Sequence, residues 1–488
     1  MKLVTIEIEN YRSVEKAVFT VREIEGSFTF TLIGINESGK SNLLRGVFLT
    51  APNQSVRYPE DYFDPNNEIK IALTYEIDDK DLLKIKSRLA KKEIHEQILS
   101  EIQISRVRLE TSFPPEVNPP QNYKEIIDFY QSRYSIYTTF EGVPSFKLDT
   151  SNSEEIDLDW NEYFSKHQPA LFSDYSHYSI LWKADDRHLI TNSINLANFF
   201  ASPEAISVPL KNCFDLAQIL DIPTVISKLK GNPSEVHNLQ ERLSDAVTNH
   251  IRTIWPEHKI RIKFQISDSY INFLIEDNDV LYATKTVDQR SEGFRQFISF
   301  LLTISAENAS STLNRTILLL DEPETHLHPK AQEALMLELI KLTSSINGNI
   351  VIYATHSNYL IDKSNLGRCR RVTKVGTTTT LEEIEDRFTS YSEVNYEIFQ
   401  IESNDYHNEL YGFIEAEAPE KLNALVKNKD WFNARTQKTL KVSLSTYIRH
   451  SIHHPENDVN PTVLPDELTE SIEQLRVIKN QLKARANS

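Results

Sequence analysis

The 488-residue sequence predicts an α/β fold: a mixed sheet with a phosphate-binding lobe, a helical insertion, and a mainly helical C-terminal domain. Three observations predict it. Residues 34–41, Gly-Ile-Asn-Glu-Ser-Gly-Lys-Ser, complete a GxxxxGK[ST] loop between an apolar run ending at Leu32-Ile33 and a helix opening at Asn42-Leu43-Leu44. Far downstream, Leu318-Leu319-Leu320-Asp321-Glu322 reads as a buried strand ending in two carboxylates. A helical stretch over about 329–346 and a second apolar strand, 349–353, complete a βαβ unit that ends just before His356.

The remaining elements follow from periodicity. Residues 1–8 and 16–21 alternate as a hairpin, and 28–33 form the strand that feeds the loop. Another strand covers 68–77, and a Lys-, Glu-, Ile- and Leu-rich helical stretch runs from about 79 to 105. Residues 110–165, with Pro114, Pro115, Pro119, Pro120 and an acidic run, read as surface loops. Helices are expected at 212–229 and 233–254, a hairpin over 259–276, a helix from 293, and a last strand pair over 371–383 around Gly376. The domains are then 1–80 (the phosphate-loop part of the head), 81–255 (helical and loop insertion), 256–388 (the second part of the head) and 389–488 (helical C-terminal domain).

Composition narrows the class. A net charge of −17 excludes a surface that coats nucleic acid generally, so any such contact must be local. Two cysteines, Cys213 and Cys369, outside any CxxC pair, exclude a disulfide framework and a cysteine zinc site, and fit a reducing cytoplasm. The N-terminus alternates instead of forming an apolar signal core, and no apolar run approaches the ~20 residues of a membrane span. A cytoplasmic protein without a membrane partner is expected.

The chemistry concentrates in few residues. Gly34 and Gly39 let the loop curl so that its N–H groups face phosphate oxygens. Gly34, Asn36, Glu37, Ser38 and Gly39, with Lys40, Ser41 and Asn42 at the helix start, form the candidate ATP cradle. Lys40 brings a point charge to the β/γ-phosphates, and the Ser41 hydroxyl is a Mg²⁺ ligand. Asp321 would hold the same Mg²⁺, Glu322 would polarise the attacking water, and His356 would donate to the γ-phosphate. Arg290-Ser291-Glu292-Gly293-Phe294-Arg295-Gln296 opens a further helix, with Ser291 and Gly293 at its lip, a second anion-binding N-terminus.

Together these residues resemble the ABC-type ATPase heads, in the branch that holds chromosome-maintenance, RecF-like and overcoming-lysogenisation ATPases. The opening Met-Lys-Leu-Val-Thr-Ile-Glu-Ile-Glu-Asn-Tyr-Arg-Ser looks like that branch too, where Arg12 and Ser13 would lie near the nucleotide. Asp321-Glu322-Pro323-Glu324-Thr325-His326-Leu327-His328-Pro329 is similar to the form in anti-phage defence ATPases, of the Septu or PARIS kind. The resemblance covers roughly residues 1–80 and 255–388. It implies two heads that sandwich ATP and Mg²⁺, with Lys40, Ser41, Asp321, Glu322 and His356 acting from one copy and Ser291 and Gly293 from the other. A homodimer or higher assembly is implied, working with an effector protein such as a nuclease. The sequence departs from the branch in lacking long coiled-coil arms, a cysteine hook and a TOPRIM acidic pattern, and its glutamine loop is not identifiable.

The tail holds two further patterns. Residues 421–449 carry Lys421, Lys427, Lys429, Arg435, Lys438, Lys441 and Arg449 against one acid, Asp430. This segment is a candidate nucleic-acid contact or, equally, a solvated helix face or a surface for an acidic partner. Arg449 and His454 resemble the Arg-polar-x-x-x-His motif of HEPN ribonucleases, with His450 where that family often has Asn. The resemblance implies His454 as acid/base and Arg449 as stabiliser of the phosphorane charge. The reading is therefore an ATP-hydrolysing head gating an effector in anti-phage defence. Its alternatives are an ATP-controlled ribonuclease acting through its own tail and a RecF-like repair ATPase.

Overall fold

Alternation in the first twenty residues folds into β1 (Lys2–Tyr11) and β2 (Val14–Thr20), and the apolar run that follows is β3 (Thr29–Ile33), buried at every position. The phosphate loop leads into α1 (Lys40–Phe48), and β4 (Ile69–Glu76) returns antiparallel to β1. The computed structural model describes residues 1–90, 106–113, 135–141, 146–149, 155–158, 177–182, 187–384 and 390–486, apart from 52–53, 55, 57, 228, 230–231, 257, 268, 281–282, 310–312, 345–346 and 400. It divides the chain into two compact units, Met1–Ile384 and Glu385–Ser488.

The stretch expected as helices and loops over 81–255 also holds strands. β5 (Arg106–Phe113) and β6 (Ser135–Glu141) extend the first sheet in the order β2-β1-β4-β5-β6, and β7 (Phe146–Asp149) pairs with β8 (Glu155–Leu158). Val107 and Leu109 alternate weakly among charged neighbours in β5, so the acidic and Pro-rich surroundings masked the strand. The helix expected over 79–105 is described as Asp79–Ala90; its later half lies outside the described residues. β9 (Tyr178–Trp182) then enters the central sheet.

A second antiparallel sheet joins β10 (Ser193–Asn195), β11 (Ile260–Ile266), β12 (Tyr270–Asp277) and β13 (Thr284–Thr286), and α2 (Val208–Leu216) and α3 (Pro233–Ile254) belong to the same lobe. After it come α4 (Glu292–Phe300), β14 (Thr316–Asp321), α5 (Pro329–Thr343), β15 (Ile350–Thr355), β16 (Cys369–Val375) and β17 (Thr378–Glu383). The central sheet runs β17-β16-β3-β15-β14-β9 and is parallel except for β17.

Its inner strands β14 and β15 are near-continuous apolar runs because both faces are covered there. Ile317, Leu319, Ile350 and Ile352 face one core with α1 and the first sheet, while Leu318, Leu320, Val351 and Tyr353 face the other with α4, α5 and the second sheet. The register pairs Leu32 with Ala354, Ile33 with Thr355, and Asp321 with Ala354. Three functional loops therefore leave the sheet at one level.

The second unit is built from α6 (Tyr391–Phe399), α7 (Asn404–Glu417), the hairpin β18 (Lys429–Asn433) and β19 (Lys438–Val442), α8 (Leu444–His453) and α9 (Pro465–Ala486). Tyr406, Leu410, Ile414, Ile472 and Leu475 form its core. The basic segment is largely that hairpin, a correction to the helix-face reading: β-formers Trp431, Phe432, Thr439 and Val442 outweigh the lysines there. Among the described residues no helix is long and apolar enough to cross a membrane.

One buried histidine ties sheet to sheet. His177 donates its backbone N–H to the Tyr75 hydroxyl (2.9 Å), and its Nε2–H reaches the Gly348 carbonyl (2.8 Å). Burial first, then Arg315, lowers its pKa to about 4, so the folded ring is neutral. Below its ordinary value of 6.5 the unfolded chain takes up a proton that the folded chain refuses, so this stabilisation is complete above pH 6.5 and is lost as pH falls toward 4. The urea-stability advantage of wild type over His177→Gln should shrink by about 2 kcal/mol between pH 7 and pH 5.

Candidate nucleotide site

The loop between β3 and α1 is shaped by contacts as much as by torsion. Gly39 has φ +105°, and a Cβ there would lie 2.1 Å from the Thr379 hydroxyl oxygen. Gly34 needs close approach instead: its Cβ would meet the Val372 carbonyl at 2.2 Å. Glu37 is also left-handed, at φ +62°. Asn36 and Glu37 are exposed at the loop tip, while Ser38 is buried with its hydroxyl oxygen unpartnered. Lys40 is 5% exposed, and its ammonium donates to the carbonyls of Gly34 (2.9 Å) and Ile35 (3.0 Å). Burial lowers its pKa, while Glu322, Asp321 and Glu324 pull the other way.

The other predicted residues converge on it. Ser41 donates its hydroxyl to Asp321 Oδ1 at 3.0 Å, and His356 Nε2 lies 3.2 Å from Glu322 Oε1. Glu322 has φ +48° and His326 φ +65°, strained for residues other than glycine and typical of loops held for function. Glu322 stays in place because its backbone N–H bonds Ala354 O at 3.0 Å, carrying the β14–β15 ladder one residue further. A Ser41–Asp321 pair beside a lysine and an orphaned Ser38 hydroxyl fits a Mg²⁺–triphosphate group: hard oxygen donors for the cation, N–H and O–H donors for the anion.

Two residues escaped sequence reasoning. Glu324 Oε1 accepts from the Thr355 hydroxyl (2.6 Å) and the His356 backbone N–H (2.9 Å), which fixes the histidine's loop, while its Oε2 is buried without a partner. The doubled carboxylate of Asp-Glu-Pro-Glu was its only signal. Thr379, wholly buried on β17, anchors the loop from behind. Asn42 Nδ2 donates to Ser13 Oγ (2.9 Å), Ser13 and Thr379 hydroxyls meet at 2.8 Å, and the Thr379 hydroxyl donates to Ser38 O (3.1 Å). Nothing in the run Thr377-Thr378-Thr379-Thr380 marks this position. Arg12, at φ +50°, is held by Asp61 through Nε–Oδ1 (2.8 Å) and through its backbone N–H (2.7 Å).

Ser291 and Gly293 lie elsewhere. Ser291 is the exposed N-cap of α4, accepting from Phe294 N at 3.3 Å, and a Cβ on Gly293 would strike His326 O at 2.0 Å. Among the described residues no hydrogen bond joins them to the phosphate loop. Behind them α4 continues into a π-helical turn, Leu301–Ser305. Its carbonyls take side-chain partners: His250 Nε2 on Leu301 O (3.2 Å) and Asn212 Nδ2 on Leu302 O (3.1 Å) and Thr303 O (3.3 Å). The Trp182 indole at the end of β9 bonds the Thr303 hydroxyl at 3.2 Å.

In the second unit Arg449 stacks over Tyr411 (4.7 Å) and bonds Glu415 (3.3 Å), while His454 ends α8 and pairs with Glu456 at 3.2 Å. Each is engaged locally, and neither contacts the other in these pairings.

A family model described as AAA domain, putative AbiEii toxin, Type IV TA system, matches residues 30–362. The chain is similar to the Old nuclease of Escherichia phage P2, 23% identical over 257 residues, which are 43% of this chain and 43% of that protein. It is also similar to an uncharacterized protein, MJECL43, of Methanocaldococcus jannaschii: 28% identical over 125 residues, 24% of this chain and 31% of that one. The chain thus spans less than half the length of either relative. Among solved structures, the SMC head bound to the C-winged helix domain of ScpA aligns with a TM-score of 0.43 and 11% identity, over 79% of this chain and 98% of that one. The SMC head domain from Thermotoga maritima gives 0.38 and 10%, over 79% and 100%.

The Thr379 anchor is testable. Thr379→Val keeps the shape and deletes the hydroxyl, and it should weaken ATP binding about tenfold while Thr379→Ser restores it, as measured by titration calorimetry.

Proposed function

The chain belongs to the AAA-domain family described as putative AbiEii toxin, Type IV TA system, and from that premise we propose that it is an ABC-type ATPase whose pocket is completed by a second copy. One observation carries the reading: Lys40, the Ser41–Asp321 pair and the Glu322–His356 pair meet where parallel strands β3, β14 and β15 end. In this reading Lys40 exchanges its two loop carbonyls for β/γ-phosphate oxygens, and its charge is retained. Ser41 and Asp321 would hold Mg²⁺, which would supply charge neutralisation at the phosphates. Glu322 would accept a hydrogen bond from the attacking water and polarise it, and His356, oriented by Glu324 through its backbone, would donate a hydrogen bond toward the γ-phosphate.

One copy leaves the γ-phosphate side open, and Ser291 at the exposed start of α4 has its helix N-terminus unclaimed by its own phosphate loop. A second copy brings that N-terminus to the nucleotide, so closure and ATP state are coupled. We further propose that closure gates an effector in anti-phage defence, with the second unit as the docking module. The ribonuclease reading is less favoured because Arg449 turns onto Tyr411 and Glu415, and among the described residues no hydrogen bond or ion pair brings it together with His454.

Lys40→Ala should abolish nucleotide binding, and Glu322→Gln should trap ATP-bound dimers that elute early on gel filtration. Mixing Lys40→Ala with Ser291→Arg should recover about a quarter of wild-type turnover, since half of randomly formed dimers are mixed and each mixed dimer keeps one intact pocket. No recovery from any mixture sinks the shared pocket.

A further inference from the structure

Charge in the second unit is segregated. Residues 385–488 hold 17 acidic and 12 basic side chains, yet seven of the basic ones fall within 421–449 beside a single acid. The fold sorts those seven further. Arg449 turns onto Tyr411 and Glu415, and Lys429 is bonded to Glu467 beneath the hairpin. Lys427, Arg435, Lys438 and Lys441 stay exposed on or beside the β18–β19 ribbon, and among the described residues only Lys441 of these has an ion pair, with Asp430 at 3.2 Å. Both partners of that pair are more than 60% exposed, so it contributes little and exchanges readily.

The ribbon is a rigid two-stranded projection. Trp431, 2% exposed, roots it on Tyr447 (5.4 Å between rings) and His450 (5.1 Å). The backbone of Phe432 is closed off: its N–H donates to Asn460 Oδ1 (2.8 Å), and its carbonyl accepts from Asn457 (2.8 Å) and Asn460 (3.0 Å). A partner peptide therefore cannot add as a third strand at that point. The tip's polar groups are used internally: Asn433 Oδ1 accepts from Arg435 N and Thr436 N (both 3.0 Å), and Gln437 Nε2 donates to Ala434 O (2.7 Å). With Trp431 buried and Phe432 half-buried, the ribbon offers no exposed indole and little aromatic surface on which unpaired bases could stack.

We propose that the β18–β19 ribbon is a sequence-independent contact for double-stranded DNA. Arg435 at the tip and Lys427, Lys438 and Lys441 along the stem bond phosphate oxygens flanking the major groove, which admits a two-stranded ribbon. Asn433 Oδ1 and Gln437 Nε2 are spent within the turn and are withdrawn from base edges. An acidic protein would match the charge alone; the ribbon shape, the closed edge at Phe432 and the absent indole platform favour a duplex. The inference stands on the ribbon and is independent of the ATP site.

The test uses the full chain and fluorescein-labelled duplexes of two unrelated sequences, read by anisotropy between about 50 and 200 mM KCl. Both duplexes should bind with equal, micromolar-range affinity and a log–log salt slope of about −3.5. Arg435→Glu with Lys438→Glu should weaken binding tenfold or more and flatten the slope by about 2, with ATP turnover unchanged. Arg435→Lys with Lys438→Arg should retain it. Undiminished binding by the charge-reversed variant overturns the proposal. So does a single strand that binds as tightly as the duplex, or a polyglutamate peptide that displaces the duplex at equal charge concentration.

Discussion

Everything at the nucleotide end of the molecule hangs on the parallel register of β3, β15 and β14. Because Ile33 stands opposite Thr355 and Asp321 opposite Ala354, the loops that follow cannot avoid one another. That geometry puts one buried ammonium among three carboxylates, Asp321, Glu322 and Glu324. Those acids oppose an anion that Lys40 attracts. A divalent cation held by Ser41 and Asp321 would offset that opposition.

The same sheet reaches the start of α4 by two routes. One is short: the loop leaving Glu322 bends at His326, whose carbonyl occupies the space a side chain at position 293 would need. The other runs through β9, whose terminal Trp182 holds Thr303 in the π-helical turn. A π turn widens the helix and leaves carbonyls that need outside donors. Here the donors come from α2 and α3, through Asn212 and His250. The helix that presents Ser291 is thus tied to the loop after β14 at its tip and to the sheet and the flanking helices at its base.

Much of this was legible beforehand. A glycine loop between strand and helix, an apolar run ending in Asp-Glu, and a histidine after the next strand are local patterns with local causes, and their elements lie within a few residues of expectation. What stayed hidden is non-local. β5 reads as charged loop because its partner β4 supplies the burial, and β9 carries too few residues to announce a central-sheet strand. Thr379 looks like any threonine in an edge hairpin until Gly39 is seen beside it. The β18–β19 ribbon was concealed by lysines, whose weak strand preference is overridden by the seat of Trp431 on Tyr447. Ser291 was identifiable, but its distance from its own phosphate loop was a matter of tertiary arrangement.

The anchor at Thr379 also governs when the loop can mature. Ser38 and Thr379 are separated by 341 positions, and β16, which flanks β3, is likewise made late. A ribosome finishes the Gly-Lys-Ser segment early but releases its backing only near the end of the first unit. Until then the nascent chain has a phosphate loop without the rear wall that Thr379 lends it.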